Sequence, residues 1–184
     1  RERRRYAGLI ATLVWLRNDL RLADNPALAA AASRGPVVPV FVWAPEEEGE
    51  WPPGAASRWW LDGSLRALHA SLREHGSQLV VRRGPSRAAL EALIAETGAD
   101  AVFWNRRYEP HAIERDRTVK AALPNARSFA AAVLHEPWTV RTRAGAPYQV
   151  FTPFWRALGA FGEPDPALPA PRLDPPSRWP DSVA

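Results

Sequence analysis

The chain has 184 residues and a formal net charge of +4, a length sufficient for one domain with a sizeable core. It contains no cysteine, which excludes disulfides and thiolate metal ligands, and no apolar run approaches the ~20 residues that span a bilayer. The absence of methionine predicts that the sequence is part of a longer product. Arginine dominates the basic residues and suits phosphate and carboxylate recognition, but a charge of +4 over this length does not by itself indicate nucleic acid.

A charged stretch, W-L-R-N-D-L-R-L-A-D-N-P at residues 15–26, follows the first apolar run. The first strand is predicted at residues 12–16, and an alanine-rich helix at 26–33. Asn25 is the predicted N-cap of that helix, with Pro26 in its first turn. The loop between strand and helix carries four charged residues, Arg17, Asp19, Arg21 and Asp24. A strand, a charged loop and a capped helix are typical of the first unit of an open α/β sheet.

Four further strands alternate with helices. The strands are predicted at residues 37–43, 79–81, 101–104 and 127–129. Ser57 is predicted to start a helix that runs to about residue 75, with Trp60 and four leucines on its buried face. Ser86 is predicted to cap the next helix, which Gly98 ends, and a further helix covers 110–123. The acid run at residues 46–48 is interpreted as a solvated part of the loop 44–54.

This alternation predicts an α/β fold, a Rossmann-like open five-stranded parallel sheet in the order 3-2-1-4-5 with helices on both faces. The switch point then lies between strands 1 and 4. The loops at 17–24 and 105–110 should converge there, flanked by the loop at 44–54. We expect Arg17 or Asp19 to be bound to loop backbone or to an ion pair; the alternative is that both are exposed loop charges.

The pattern changes after the fifth strand. Residues 133–149 are predicted to be an irregular crossing segment, and the aromatic stretch 150–158 a short helix beginning near Thr152. The domain is assigned to residues 1–161. Residues 162–184 are rich in proline and are predicted to be an extended interdomain linker that does not pack on the domain.

Motifs for common catalytic sites do not occur in the sequence. It has no G-x-S-x-G, no Walker loop and no G-x-G-x-x-G, and its four histidines lack metal-ligand spacing, so no catalytic residue and no metal ligand is assigned. The aromatic pairs Trp59 with Trp60 and Phe154 with Trp155, together with Phe151, have three open readings. They stack on a base or flavin, they belong to the core, or they form a surface docked on another domain.

The charged stretch at 15–26 resembles the N-terminal signature of the photolyase/cryptochrome family, W-x-R-x-D-L-R-x-x-D-N-P. The resemblance continues through V-V-P-V-F-V-W-A-P-E-E-E-G-E-W-P-P-G-A-A-S-R-W-W at 37–60 and W-N-R-R-Y-E-P-H-A-I-E-R at 104–115. It ends at V-F-T-P-F-W, residues 150–155, and covers about residues 13–158. These segments are most similar to class III cyclobutane pyrimidine dimer photolyases and to plant-type cryptochromes.

The resemblance implies a two-domain flavoprotein. The N-terminal α/β domain holds or borders a light-harvesting antenna, and a helical C-terminal domain, outside these residues, holds FAD and reads the damaged DNA. It therefore implies the antenna domain of a blue-light-driven deoxyribodipyrimidine photo-lyase, an enzyme of DNA repair. The alternative is the same domain of a cryptochrome photoreceptor, and a third is an unrelated nucleotide-binding α/β domain. The expected partners are the chain's own flavin domain and, through it, damaged DNA, without a membrane. We expect a monomer in the bacterial cytoplasm, or in a nucleus or organelle if the source is eukaryotic.

The resemblance also implies candidate residues for the antenna pocket. Arg58 and Glu109 match positions that other family members use. Ala44 and Arg107 stand where deazaflavin-binding members have aspartate, and Ala112 removes a carboxylate of the folate pocket of other photolyases. The expected chromophore is 5,10-methenyltetrahydrofolate, with deazaflavin as the alternative, near the loops after strands 1, 2 and 4. The candidate pocket residues are Trp43, Arg58, Arg107 and Glu109.

Overall fold

The structure is a computed structural model that describes residues 10–123 and 125–182. Its strands are β1 (Thr12–Leu16), β2 (Val37–Trp43), β3 (Val80–Arg83), β4 (Ala101–Asn105) and β5 (Ala126–Phe129). Its α-helices are α1 (Pro26–Ala32), α2 (Ala55–Glu74), α3 (Ser86–Thr97), α4 (Pro110–Ala122) and α5 (Phe151–Gly159), with a short 3-10 helix at Pro45–Glu47. No described helix is long and apolar enough to cross a membrane.

The five strands form one parallel sheet in the order β3-β2-β1-β4-β5, which confirms the predicted topology. The central strands β1 and β4 are buried along their whole length, as expected for strands covered by helices on both faces. β1 lies in the middle of the sheet, between β2 and β4. The chain adds β2 and β3 on one side of β1 and then crosses over to add β4 and β5 on the other side. The carboxyl ends of β1 and β4 therefore define the switch point, where open α/β sheets form their binding crevices.

Each face of the sheet has its own apolar core, because side chains alternate along every strand. One core packs Leu13 and Trp15 of β1 against Leu90 and Leu93 of α3 and Val119 of α4. The other packs Val14 and Leu16 of β1 against residues of α1 and α2, chiefly Leu28, Leu68 and Leu72. The neighbouring residues of one strand thus fix both layers of helices to the sheet.

The start of α1 confirms the predicted cap. The side chain of Asn25 accepts a hydrogen bond from the backbone N–H of Leu28 at 3.1 Å, and Pro26 occupies the first turn. Gly98 ends α3 with φ of 68°, a left-handed conformation that costs glycine little.

Two predicted helix starts are wrong. α2 begins at Ala55, because the carbonyl of Gly54 already accepts the first helical hydrogen bond from Arg58, so Ser57 lies inside the first turn. Ser86 is the first residue of α3 rather than its cap. Its backbone N–H donates instead to the carboxylate of Glu47 at 2.9 Å, which places a negative charge at a helix N-terminus.

The buried face of α2 is shorter than predicted. Leu68 and Leu72 are buried, but Trp60 is 71% exposed. Helical spacing gives the direction of a face but not how far a long helix extends beyond the sheet that it covers. The N-terminal turns of α2 extend beyond that core, which leaves Trp59 and Trp60 at the surface.

The prediction that residues 162–184 do not pack on the domain is wrong for residues 162–182. This segment has no helix or strand, but it runs along the domain. Leu173 is buried in the α1/α2 core, and Trp179 packs against the opposite core. The N–H of Val37 donates to the carbonyl of Asp174 at 3.0 Å, and the N–H of Val81, in edge strand β3, donates to Ser182 Oγ at 3.0 Å. Apolar side chains and unpaired strand-edge groups therefore hold the segment, which proline content alone does not predict.

We predict that Leu173→Ala lowers the free energy of unfolding by about 2–4 kcal/mol, the usual cost of truncating a buried leucine. The matched control is Leu168→Ala in the same segment, where the side chain is 39% exposed and the loss should stay within about 1 kcal/mol. Urea unfolding of the chain measures both. Equal, small losses would show that the segment does not pack on the core.

Candidate functional site

Arg17 is a buried cation at the switch point. Its side chain is 5% exposed, at the carboxyl end of β1. Nη1 lies 2.6 Å from Asp116 Oδ1 of α4, and Nη2 donates to the backbone carbonyl of Asn105 at the end of β4. The guanidinium also lies 4.6 Å from the centre of the Trp15 ring. One side chain thus connects β1, β4 and α4.

Asp19 and Asn105 complete this junction. Asp19 Oδ1 accepts from the N–H of Arg17 at 2.8 Å, and Asp19 Oδ2 accepts from Asn105 Nδ2 at 2.6 Å. The same Asn105 nitrogen donates to Asn25 Oδ1 at 2.7 Å, and Asn105 Oδ1 accepts from the N–H of Ala27 at 3.0 Å. The loops after β1 and β4 converge as predicted, and the expectation that Arg17 or Asp19 is bound is confirmed for both.

The remaining motif residues shape the loop itself. Arg21 Nε donates to the carbonyl of Asp24 at 2.9 Å. Asp24 has φ of 50°, a conformation that aspartate adopts more readily than most residues, and its N–H donates to the carbonyl of Leu168 at 2.7 Å. Asn25 Nδ2 donates to the carbonyl of Arg21 at 3.0 Å. The motif therefore builds the junction from side-chain and backbone hydrogen bonds.

A second polar cluster surrounds Glu48 in the loop after β2. Glu48 lies 2.9 Å from Arg107 and 3.0 Å from Arg115, whose side chains are 11% and 9% exposed. The interpretation of residues 46–48 as solvated is therefore wrong for Glu47 and Glu48. Glu47 binds Ser86 at the start of α3, and Glu48 binds Arg107 and Arg115. Gly49 permits this approach: it has φ of 76°, and a Cβ there would stand 3.0 Å from His111 Nδ1.

These contacts shift pKa values. Burial raises the pKa of Glu48, but the hydrogen bonds and charges of Arg107 and Arg115 outweigh it, so the pKa lies below its ordinary value of 4.5. Burial is also the largest effect on the pKa of Arg17 and lowers it. The positive charge of Arg115 lowers this pKa further, and Asp116 opposes both effects. Glu48 is thus a carboxylate at neutral pH, held between two cations.

The structure divides the candidate antenna residues between two cavities. Trp43, at the end of β2, lines both. One cavity, of about 370 Å³, also contains Arg58. The other, of about 70 Å³, contains Arg107. Glu109 lines neither of these two cavities and is 45% exposed, with its carboxylate 3.1 Å from Arg107. The structure therefore does not join the four residues into one pocket.

The larger cavity is lined by apolar and charged side chains. The apolar residues are Phe41, Leu61, Leu65 and Val81, together with the indole of Trp43. The charged residues are three arginines, Arg58, Arg82 and Arg83, and one aspartate, Asp62. Arg58 Nε donates to the carbonyl of Pro53 at 2.7 Å. Among the described residues no group of three or more His, Cys, Asp or Glu is placed to hold a metal ion.

Sequence reasoning missed three residues that hold the site together. Asp116 and Arg115 lie within a polar helix, where nothing in the local pattern singles them out. Glu136 was placed in an irregular segment, yet it accepts from Arg106 Nε at 2.9 Å and from the Tyr108 hydroxyl at 3.0 Å. Burial, and then Glu136, raise the pKa of that hydroxyl. Asn105 could have been found, because it ends a predicted strand at the switch point.

The aromatic residues of α2 and α5 are not core residues. Trp59, Phe151 and Trp155 are 75%, 70% and 59% exposed, and Phe151 stacks on Trp155 with ring centres 5.9 Å apart. The reading of these side chains as core is therefore wrong. Two interpretations stay open: these side chains stack on a base or flavin, or they form a surface docked on another domain.

The fold and the junction define an open α/β domain in which the loops after β1, β2 and β4 meet at the carboxyl edge of the sheet. A family model described as DNA photolyase matches residues 12–172, which is most of the chain. The chain therefore belongs to the DNA photolyase family, and the resemblance seen in the sequence is confirmed.

Three relatives show how similar this chain is to known proteins of the family. A deoxyribodipyrimidine photo-lyase of Agrobacterium fabrum is 47% identical over 176 residues, covering 92% of this chain and 36% of the relative. Cryptochrome-1 of Arabidopsis thaliana is 45% identical over 169 residues, covering 88% of this chain and 25% of the relative. The crystal structure of a bacterial class III photolyase from Agrobacterium tumefaciens matches with a TM-score of 0.86 and 43% identity, covering 95% of this chain and 37% of that one. The chain thus spans about a third of the length of its photolyase relatives.

We predict that Glu48→Gln lowers the free energy of unfolding at neutral pH by about 1–3 kcal/mol, because it removes the carboxylate that pairs with Arg115 and leaves Arg107 paired only with the half-exposed Glu109. The folded pKa of Glu48 lies below its ordinary value of 4.5, so its contribution is complete above that value and is lost as the pH falls through the folded pKa. The deficit of the variant should therefore shrink below pH 4.5.

Urea unfolding across a pH series measures the effect, with Glu46→Gln as the control on a neighbouring exposed glutamate. A deficit that stays constant down to low pH would contradict an ion-pair origin.

Proposed function

We propose that this chain is the antenna domain of a blue-light-driven deoxyribodipyrimidine photolyase, a lyase that repairs cyclobutane pyrimidine dimers. The observation that carries the proposal is the 47% identity to a deoxyribodipyrimidine photo-lyase over 92% of the chain. The similarity to a class III photolyase structure supports the same reading. Because the chain spans about a third of these relatives, the repair activity, the DNA substrate and the flavin domain as partner are all parts of the proposal.

FAD, which members of this family bind, supplies the electron-transfer chemistry when bound in the helical domain outside these residues. The residues of this chain contribute placement and electrostatics. The Arg17–Asp116 and Asn105 contacts hold the loops after β1 and β4 in position. The segment 162–182 packs on both faces of the domain.

The second candidate is the antenna domain of a cryptochrome photoreceptor. It is favoured by the 45% identity to Cryptochrome-1 of Arabidopsis thaliana, which is nearly as high as the identity to the photolyase. The two functions differ in whether the flavin domain binds and splits a dimer, and that domain lies outside these residues.

Light-dependent repair by the full-length protein tests the proposal. We expect the purified protein, loaded with FAD, to restore thymine dimers in a synthetic oligonucleotide to thymines under blue light and not in the dark. Liquid chromatography of the digested oligonucleotide measures the outcome. A protein that contains FAD and responds to light spectroscopically but repairs no dimer would favour the cryptochrome.

For the antenna we propose 5,10-methenyltetrahydrofolate beside Trp43, with Arg58 pairing with a carboxylate of its tail. Arginine pairs with a carboxylate through two parallel donors, and the indole of Trp43 offers a flat face for a pterin ring. The cavity of about 370 Å³ that these two residues line contains mainly apolar side chains and three arginines, with Asp62 as its one acidic residue. Deazaflavin is the alternative ring. When bound, the folate supplies near-ultraviolet absorption.

Arg107 and Glu109 are the remaining candidates of the same proposal, and they do not line this cavity. Their side chains lie 3.1 Å apart, and Arg107 is also bound to Glu48. In the chain alone their charges are thus already paired, so each has less free capacity for a ligand than Arg58. This ranks Arg58 first among the candidate contacts.

We predict that Arg58→Ala weakens the retention of methenyltetrahydrofolate by about tenfold or more, the usual effect of losing a charged hydrogen bond. The full-length protein is reconstituted with the folate, and near-ultraviolet absorption measures the bound fraction. Arg107→Ala and Glu109→Ala are measured beside it. The control is Arg87→Ala, an exposed arginine of α3 that pairs with Glu91.

Retention that falls in Arg58→Ala and not in the control supports the Trp43 cavity. Unchanged retention in all three site variants would place the pocket elsewhere. A wild-type protein that retains no folate would exclude folate and leave deazaflavin to be tested in the same way.

A further inference from the structure

Four buried nitrogens beside the switch point find no hydrogen-bond acceptor among the described residues. They are Trp15 Nε1, Arg17 Nε, Arg115 Nε and Arg115 Nη2. Their side chains are at least nine-tenths buried: Trp15 is 1% exposed, Arg17 5% and Arg115 9%. Buried N–H groups are rarely left unpaired, because each costs about 1–3 kcal/mol when it loses water without gaining a partner.

All four nitrogens belong to residues that line one cavity. It has a volume of about 70 Å³ and lies between the loop after β1, the loop after β2 and helix α4. Two guanidiniums lie over the Trp15 ring, with the Arg17 group 4.6 Å from its centre and the Arg115 group 5.1 Å away. The unpaired donors are therefore neighbours in space.

The acceptors nearest to the cavity are already engaged. Asp116 Oδ1 accepts from Arg17 Nη1 at 2.6 Å, and Asp116 Oδ2 accepts from Trp104 Nε1 at 2.9 Å. Arg115 Nε lies 3.6 Å from Asp116 Oδ1, too far for a hydrogen bond. Glu48 accepts from Arg115 Nη1 at 3.0 Å and from Arg107. The carboxylates of Asp116 and Glu48 thus bind other nitrogens of Arg17 and Arg115. The four buried donors are left without an acceptor.

The charge of the cavity wall is positive. Three guanidiniums line it, from Arg17, Arg107 and Arg115, against the single carboxylate of Glu48. Asp116, which pairs with Arg17, and Glu109, which pairs with Arg107, are not lining residues. Burial and the nearby charge of Arg115 lower the pKa of Arg17, so the charged form of Arg17 is incompletely compensated. A negative charge in the cavity would favour that form.

We propose that this cavity is a binding site for a small anion, of the size of a halide, bicarbonate or formate ion, held by Trp15, Arg17 and Arg115. Each unpaired group is a donor and none is an acceptor, which matches an anion. A water molecule accepts two hydrogen bonds, but it must also donate two, and an anion only accepts. Because a cavity of ~10–15 Å³ already holds a water molecule, one of about 70 Å³ admits an ion of this size.

The bound anion would join β1 to α4 through groups that the ion pairs do not use. This is the same junction that fixes the loops after β1, β2 and β4. The site does not depend on the antenna proposal, because neither Trp43 nor Arg58 supplies any of the four donors. Failure of one proposal therefore leaves the other intact.

Bromide is the probe for the test. Crystals of the full-length protein are grown in sodium bromide, and anomalous diffraction at the bromine absorption edge locates the ion. We expect a peak within about 3.4 Å of Arg115 Nη2 and Trp15 Nε1, the range of N–H contacts to a halide slightly longer than those to oxygen. Ordered water at those donors, with no anomalous signal there, would overturn the proposal.

Solution binding decides whether the site has useful affinity. The broadening of the bromide NMR line gives a dissociation constant. Sodium gluconate keeps the ionic strength constant, because gluconate is too large for the cavity. Arg115→Met removes two of the four donors and should weaken binding at least about tenfold. Arg117→Met is the matched control on α4, because its side chain is 70% exposed, and it should bind as the wild type does.

Trp15→Phe removes a single donor, keeps the aromatic ring, and should weaken binding by less than Arg115→Met. If Arg115→Met does not fold, this variant and the wild-type diffraction result still decide. Saturable binding in solution that both site variants weaken supports the proposal. A bromine peak without saturable binding in solution means binding at crystal concentration only and overturns it.

Discussion

The desolvated charge of Arg17 is the constraint on which the switch point depends. Removing a guanidinium from water costs several kcal/mol unless its charge and its donors find partners. Asp116 supplies the opposite charge from α4, and the carbonyl of Asn105 supplies an acceptor at the end of β4. Because these partners come from different elements, Arg17 is stabilised only when β1, β4 and α4 are in register. The parallel sheet and the position of α4 are thus linked through one side chain.

The same logic extends to the loop after β2. Arg115, one residue before Asp116 in α4, binds Glu48 of that loop, and Arg107 binds the same carboxylate. Two adjacent residues of one helix therefore hold the loops after two different strands. These charged pairs are largely withdrawn from solvent, and they hold the loops after β1, β2 and β4 in one arrangement.

Much of the fold could be predicted because local patterns determine it. Apolar runs gave the strands, Asn25 and Pro26 gave the start of α1, and the alternation of elements left few topologies. The partners of the charged residues could not be predicted, because they are distant in the chain. Asp116 lies 99 residues from Arg17, and nothing in its own helix distinguishes it from its charged neighbours. For the same reason the sequence did not separate the candidate antenna residues into the two cavities that the structure shows.

The C-terminal segment shows a second limit. Its proline content predicts an extended chain, and the chain is extended, but composition does not say what an extended chain lies against. Leu173 and Trp179 reach opposite cores because the segment passes around the sheet.

The central claim is that the charged motif forms a structural junction through Arg17 and Asp116. A double-mutant cycle with Arg17→Met, Asp116→Asn and the double variant tests it most directly, using the free energy of unfolding from urea titration. The predicted result is a coupling energy of about 2–3 kcal/mol, as for a contacting pair in one buried network. A coupling energy below about 0.5 kcal/mol would mean that the two side chains contribute independently, and that this ion pair does not hold the switch point together.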